Sequence, residues 1–390
     1  MQIVPDVLYD DIKSGNCVLF VGAGVSTEGG TYGEPTLYDT IRKKVGITDD
    51  EDNIPFPDLM QLYCDKIDGG HRNRLTREII SRIEMFSMPG EGNLTTTLFH
   101  SHAAEIPYFN RIVTTNWDTF LEQNMNVLVP MVEDRDIPFW DDSKRQIIKI
   151  HGCVTRPYTI IATRMDYNRC LDTNPFIINK LKDLMATKTF IYVGFSMLDP
   201  DFHILIDEMI ARLGDFKKLS YAIDPCASTE TTELWKSKRV KIIKAYGIRF
   251  IYELRDRLVA DGILVSQDYL MFMEAEESRM REEHTRLHDG PESDGAFASA
   301  MYQDGVLNQL YKILSKSRIG YPKDAFKSAL TEEETFLDEA ERDERLIDIA
   351  YHIGRIEVLR RFLSNDLSPI PTFFHPQKLV PIHKFVKRDA

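Results

Sequence analysis

Residues Cys17 to Val21 are an unbroken apolar run that passes directly into Gly22-Ala23-Gly24-Val25-Ser26. Five apolar residues followed by a glycine turn read as a strand buried on both faces, with a helix expected after the turn. This strand–turn–helix constrains the fold more than any other stretch, because buried strands of this kind belong to parallel sheets covered by helices on either side. Gly22 and Gly24 carry no Cβ to hold off a phosphate, the first amides of the expected helix favour an anion, and Ser26 offers a hydroxyl. The position of a third dinucleotide-fingerprint glycine is Thr27, which argues against an ordinary dehydrogenase. A nucleotide site and a tight structural turn fit this stretch alone equally well.

Five further short apolar runs follow: Arg111 to Thr115, Ile147 to Ile150, Thr189 to Val193, Leu219 to Ile223 and Val240 to Ile243. Helical patterns separate them, so the expectation is an α/β fold with a doubly wound, Rossmann-like, six-stranded parallel sheet. Residues 49 to 106 carry apolar positions at helical spacing, among them Leu59, Leu62, Leu75, Ile79 and Ile83, and read as a helical insertion. His100 and His102 stand two apart and share no helical face, so they read as buried or partner-contacting histidines and not as metal ligands. Five strands end in polar or glycine-bearing turns, the place where open α/β sheets bind ligands: Gly22 to Ser26, Thr115-Asn116-Trp117-Asp118, His151-Gly152, Gly194-Phe195-Ser196 and Asp224-Pro225. Gly29, Gly30 and Gly33 form a loop able to close over such a ligand, and Asp199-Pro200 fits a helix start.

At 390 residues the chain is expected to form two domains, 1–255 and 256–390. The second reads as mainly helical, with Thr331 to Glu334 as a capping box opening one helix, and Ile347, Ala350, Ile353, Ile356 and Leu359 lining one side of another. From about Ser368, four prolines and scattered Lys and Arg predict an extended basic arm. The net charge of −13 argues against sequence-independent DNA binding, and no direct sequence-specific nucleic-acid contact is expected. No apolar run approaches the roughly 18 residues of a membrane span and the first residues show no signal-peptide pattern, so a cytoplasmic protein is expected. Five scattered cysteines without a Cys-x-x-Cys pair are expected to be free thiols rather than disulfides or a zinc site.

Taken in order, Gly22 to Ser26, Thr115 to Asp118, His151-Gly152 and Gly194 to Ser196 resemble the motifs of the sirtuin family of NAD-consuming enzymes over about the first 250 residues. The context Lys149-Ile150-His151-Gly152, with Thr163-Arg164 and Asp166-Tyr167 after it, looks more like the sirtuin-like domains of bacterial anti-phage proteins than like protein deacylases. The paired zinc-binding cysteines of deacylases are absent, leaving Cys153 and Cys170, so no structural zinc is expected. Gly33-Glu34-Pro35-Thr36 replaces the Pro-Asp-Phe-Arg segment of deacylases, and no cofactor-contacting arginine carries over.

By that resemblance Asn116 would hold the ribose and orient a water, His151 would serve as base and Asp118 would grip the carboxamide of nicotinamide. Gly22, Ala23, Gly24 and Ser26 would take the pyrophosphate, Thr115, Gly194 and Ser196 would flank phosphate and ribose, and Asp224 would accept from the adenosine ribose. Read without the resemblance, Asn116 is better taken as a helix cap and His151 as a satisfied loop histidine. The leading expectation is hydrolysis of NAD to ADP-ribose and nicotinamide in anti-phage defence. Protein deacylation or ADP-ribosylation, and non-catalytic binding of NAD or ADP-ribose, are the alternatives. The resemblance also implies a homo-oligomer and a separate HerA-type hexameric ATPase partner, since this chain has no phosphate-binding Gly-x-x-x-x-Gly-Lys loop of its own.

Overall fold

The computed structural model describes residues 3–27, 36–47, 54–87, 91–195, 200–288 and 294–374. The chain divides into two compact units, Met1–Leu254 and Arg255–Ala390.

The first unit is built on six strands: β1 (Cys17–Val21), β2 (Arg111–Thr114), β3 (Gln146–Lys149), β4 (Thr189–Val193), β5 (Ser220–Ile223) and β6 (Val240–Ile243). Their order is β3-β2-β1-β4-β5-β6 and every pairing is parallel, the doubly wound arrangement expected. β1 and β4 are neighbours at the centre, where the direction of winding reverses, and their carboxyl ends open the crevice in which such sheets bind ligands. All residues of β1 and β4 are buried, as the continuous apolar runs require of strands covered on both faces. The period-two alternation sends Val18, Phe20, Phe190 and Tyr192 to one face, where they pack with Ile177, Leu181 and Leu184 of helix Pro175–Thr187 and Leu205, Ile206 and Met209 of helix Pro200–Leu213.

Between β1 and β2 the chain forms helices Phe56–Ile67, Asn73–Ser87 and Glu91–Ala104. The core here of Ile41, Leu59, Met60, Tyr63, Leu75 and Ile79 also takes in Ile160 and Ala162, with Trp117 and Val154 packed against it. Those last four residues come from the loops that leave β2 and β3, so this helical segment shares its hydrophobic core with two turns of the crevice. Ion pairs fix it further: Arg164 Nε and Nη2 donate to the two carboxylate oxygens of Asp58, and Arg72 reaches Asp166 at 2.6 Å. His100 is fully buried beside the rings of Phe99 and Phe120, and His102 Nδ1 lies 3.1 Å from Glu105.

The second unit contains helices Gln267–His288, Asp294–Ser317, Ala325–Arg342 and Leu346–Ser364. Two expectations are corrected here. Thr331 does not open a helix: helix Ala325–Arg342 runs through it, and its hydroxyl donates back to the Lys327 carbonyl at 3.2 Å. A Thr-x-x-Glu pattern suits a helix interior as well as a cap when the preceding turn is already helical. Ile347 is 47% exposed, whereas Ile349, Gly354, Val358 and Phe362 are buried together with Ala350, Ile356 and Leu359. Helix Leu346–Ser364 therefore buries several faces rather than one, as a helix packed inside a bundle does.

The first residues of the expected C-terminal arm are docked on their own unit. The Glu276 carboxylate accepts from Ile370 N at 2.7 Å, Arg279 donates to Ile370 O at 2.6 Å, and Gln303 Nε2 donates to Thr372 O at 2.6 Å. The arm beyond Phe374, the loop Gly29 to Gly33, Ser196 and the helix cap at Asp199 lie outside the described residues. Among the described residues no helix is long and apolar enough to cross a membrane, and no group of three or more His, Cys, Asp or Glu is placed to hold a metal ion.

Candidate active site at the carboxyl edge of the sheet

Thr114 is the last residue of β2 and wholly buried, and its hydroxyl ties two strands to the turn that follows. Oγ1 donates to Val21 O of β1 at 2.8 Å and accepts from Asn116 N at 3.0 Å. The β2–β3 register pairs Thr114 with Lys149, and Ile150 N continues the ladder to Thr114 O at 3.0 Å. Asn116 and His151 thus each stand two residues past a paired couple, level with one another on adjacent strand ends. A bond from Val154 N to Trp117 O at 2.9 Å joins the two turns again beyond them.

Asn116 is 5% exposed, and neither its amide nitrogen nor its oxygen has a hydrogen-bond partner among the described residues. Ser26 Oγ and Trp117 Nε1 are likewise buried without partners among them. An orphaned buried polar group costs roughly 1–3 kcal/mol, so native chains rarely keep several together unless a ligand completes them. It is Asp118, not Asn116, that meets the next helix: Asp118 Oδ1 accepts from Phe120 N, the first amide of helix Phe120–Met125, at 3.0 Å. One oxygen of Asp118 is therefore engaged in holding that helix.

His151 is 3% exposed, its ring meeting the Tyr167 ring edge-to-face at 5.1 Å. Tyr167 is presented by helix Arg164–Thr173, which a capping box of Thr163 and Asp166 starts. Behind His151, Gly152 has φ +86°, and a Cβ there would lie 2.2 Å from Thr159 O. Only glycine lets the following loop cross so closely, and the crossing allows Ile161 N to donate to His151 O at 2.9 Å. The imidazole is held from in front by an aromatic ring and from behind by its own backbone.

The glycine turn after β1 packs tightly against the turn after β4. A Cβ on Gly22 would sit 2.5 Å from Gly194 O, and one on Gly24 2.8 Å from the same atom. Gly24 N donates to Gly194 O at 2.7 Å, and Gly194 itself has φ +61°. The space cleared by these glycines is occupied by the turn after β4, so their immediate demand is loop-on-loop packing at the switch point. Amides of Gly22, Val25 and Ser26 are also bonded within the chain, to Val193, Gly22 and Ala23 carbonyls. That leaves the amide of exposed Ala23 as the turn's donor without such a bond among the described residues. Only the short helical segment Gly24–Thr27 is described after the turn.

Thr115 N reaches Val21 O at 3.4 Å. Asp224 follows β5, one strand from Gly194, with Oδ1 accepting from Cys226 N at 2.8 Å and its own amide donating to Ile243 O at 3.1 Å. The structure therefore brings Gly22, Ala23, Gly24, Ser26, Thr115, Asn116, Asp118, His151, Gly194 and Asp224 to one edge of the sheet. Sequence reading missed Thr114 and treated Lys149 and Tyr167 only as motif context. Lys149, 1% exposed, donates to Glu122 at 2.8 Å and to the Asp118 carbonyl.

Residues 110–251 match the SIR2-like domain family. Among curated proteins, the chain is similar to the NAD(+) hydrolase ThsA of Bacillus cereus (strain MSX-D12), 25% identical over 209 residues that cover 52% of this chain and 41% of that protein. It is also similar to the NAD(+) hydrolase ThsA of Enterococcus faecium, 25% identical over 218 residues covering 54% and 44%, and to that of Acinetobacter baumannii (strain 532279), 23% identical over 228 residues covering 57% and 45%. The chain spans less than half the length of these relatives.

Proposed function

We propose that the first unit hydrolyses NAD at the bond between nicotinamide and ribose, giving nicotinamide and ADP-ribose. The observation that carries this reading is the buried amide of Asn116, without a partner among the described residues and level with His151 beside the switch point of a six-stranded parallel sheet. The likeness to a SIR2-like domain and to proteins named as NAD(+) hydrolases supports the choice of substrate.

The chemistry asks little of an acid. The C1′–N bond breaks with its electron pair going to a pyridinium nitrogen, which departs neutral, in contrast to ordinary glycoside cleavage, where a carboxylic acid must protonate the leaving oxygen. A water oxygen then bonds to C1′ and gives up a proton. The amide of Asn116 offers both a donor and an acceptor, to hold a ribose hydroxyl and to aim that water. His151, held by Tyr167, takes the proton. The second carboxylate oxygen of Asp118 accepts from the nicotinamide carboxamide. Ala23 N and Ser26 Oγ donate to the pyrophosphate, Thr115, Gly194 and Ser196 flank phosphate and ribose, and Asp224 accepts from the adenosine ribose. Cytoplasmic action in anti-phage defence, homo-oligomerisation and a HerA-type ATPase partner belong to the same reading and rest on the sequence resemblance.

Incubation of the full chain with NAD, with nicotinamide and ADP-ribose followed by chromatography, tests this. The expected result is stoichiometric release of both products, lost in Asn116→Ala. No release from the wild type, or equal release from the variant, would overturn it.

A further inference from the structure

Asn116 is aimed by its backbone, since its side chain has no partner among the described residues. Its turn is held upstream at Asn116 N by Thr114, in the middle at Trp117 O by Val154 N, and downstream at Asp118 O by the ammonium of Lys149. The last of these is unlike the others, because it places an ionised side chain in the interior. Lys149 and Glu122 have side chains 1% and 8% exposed, paired at 2.8 Å. Burial pushes the Glu122 carboxyl up while the Lys149 charge draws it back. The second Glu122 oxygen has no partner among the described residues, so the pair is not a fully satisfied network. A buried ion pair of this kind is seldom a net gain in stability over apolar residues of the same size. The chemistry proposed above does not use it either.

We infer that Lys149 is a positioning residue for the reaction: by gripping the Asp118 carbonyl from the end of β3, it holds the amide of Asn116 in the same frame as His151. Lys149 stands two residues before His151 on that strand end, so one side chain references both members of the site to a single backbone. Glu122, one turn into the helix that Asp118 caps, keeps the ammonium directed at that carbonyl. This inference rests on the proposed hydrolysis for its kinetic consequence, but its geometric content stands apart from it.

Lys149→Met alone would strand the Glu122 carboxylate in the interior and is expected to unfold the unit. The informative protein is Lys149→Met with Glu122→Leu, which removes both charges together and is expected to melt within a few degrees of wild type. In it, kcat for nicotinamide release should fall by about 100-fold with KM changed less than about threefold, because a shift of the reacting groups of around 1 Å is felt at the transition state. Glu122→Gln removes the counter-charge and should melt lower than wild type, but it keeps an oxygen for Lys149 to donate to and leaves the grip on Asp118 intact, so the folded protein should stay within about threefold of wild-type kcat. Hydrogen exchange of the amides of residues 117–120 should quicken about tenfold in the double variant and stay unchanged in Glu122→Gln. A folded double variant with wild-type kcat and exchange would overturn the inference, as would a Glu122→Gln protein that loses as much as the double variant. If the wild type turns over no NAD at all, the hydrolysis reading falls while the exchange comparison still decides whether Lys149 holds the turn.

Discussion

The turns after β1 and β4 in the first unit, and the crossing of helices Asp294–Ser317 and Leu346–Ser364 in the second, both press backbone on backbone through glycine. In the first, Gly22, Gly24 and Gly194 interlock so closely that any Cβ would meet main-chain atoms at 2.8 Å or less. In the second the fit is reciprocal: a Cβ on Gly305 would lie 2.1 Å from Tyr351 O, and one on Gly354 2.2 Å from Tyr302 O. What differs is the polar company. At the helix crossing Gln303 donates to Thr372 O and Gln309 accepts from Arg355, so the buried amides there are satisfied. Beside the glycine turns Asn116, Ser26 and Trp117 keep buried polar atoms without partners among the described residues. The same glycine device serves packing alone in one place, and in the other it draws together strand ends that hold unmet hydrogen-bonding capacity. Close packing with every polar group paired marks a structural joint; close packing with several left over marks a place for a ligand.

The sharpest test of that difference is Asn116→Ala. Turnover of NAD should fall by about 100-fold or more, the range for loss of a group that orients a reacting water. The folded state should lose nothing and gain up to about 1 kcal/mol, since a buried unsatisfied amide is removed. Thermal melting alongside the NAD assay reads both. A variant that melts well below wild type would show that the amide is structural, and the contrast with Gln303 and Gln309 would fail.

Next in size is the pair Gly305→Ala and Gly194→Ala. Each forces a methyl against backbone oxygen or nitrogen, and overpacking of this kind costs about 1–3 kcal/mol, with the positive φ of Gly194 adding to it. Gly305→Ala should quicken hydrogen exchange in helices Asp294–Ser317 and Leu346–Ser364 and leave β1 and β4 protected. Gly194→Ala should do the reverse and also lower NAD turnover, because it separates the two turns that flank the crevice. Exchange that spreads through both units from either change would erase the distinction between the two joints.

The six strands were legible in the sequence because parallel strands buried on both faces leave continuous apolar runs, and these runs end in turns whose residue types are unusual. Asn116 and His151 were legible as members of such turns. What the local pattern could not carry is pairing across distance. Lys149 finds Glu122 and Asp118 only once β2 and β3 lie side by side. Tyr167 meets His151 through a helix started by Thr163 and Asp166. The glycine turn alone fits a phosphate site and a tight structural turn equally well, and the partner that fills its cleared space, Gly194, lies some 170 positions away. Thr331 was misread for the opposite reason: its four-residue pattern is local, but the turn preceding it settles whether it caps a helix or rides within one.

The smallest effect concerns a buried polar group far from any such convergence. Lys217 stands before β5, at the end of the sheet opposite the crevice. It is 2% exposed, with its ammonium unpartnered among the described residues. Burial, with the Arg239 guanidinium near it, pulls Lys217 down to about 8. Among the described residues no second orphaned group of the first unit lies beside it at that end of the sheet, so by the contrast drawn above it is a liability rather than a site. Its sign follows from linkage. The folded pKa lies below the ordinary lysine value of 10.5, so between about 8 and 10.5 the unfolded chain binds more protons and stability rises with pH. The penalty is complete below pH 8 and gone above 10.5. Lys217→Met should therefore raise the melting temperature at pH 7 by a few degrees, as a gain of about 1 kcal/mol does in a domain of this size, and the gain should shrink as pH approaches 10. NAD turnover should be untouched. A Lys217→Met protein that melts lower than wild type at pH 7, or that loses turnover, would show that an isolated orphan can also be functional, and convergence of several would no longer be the criterion that singles out the Asn116 turn.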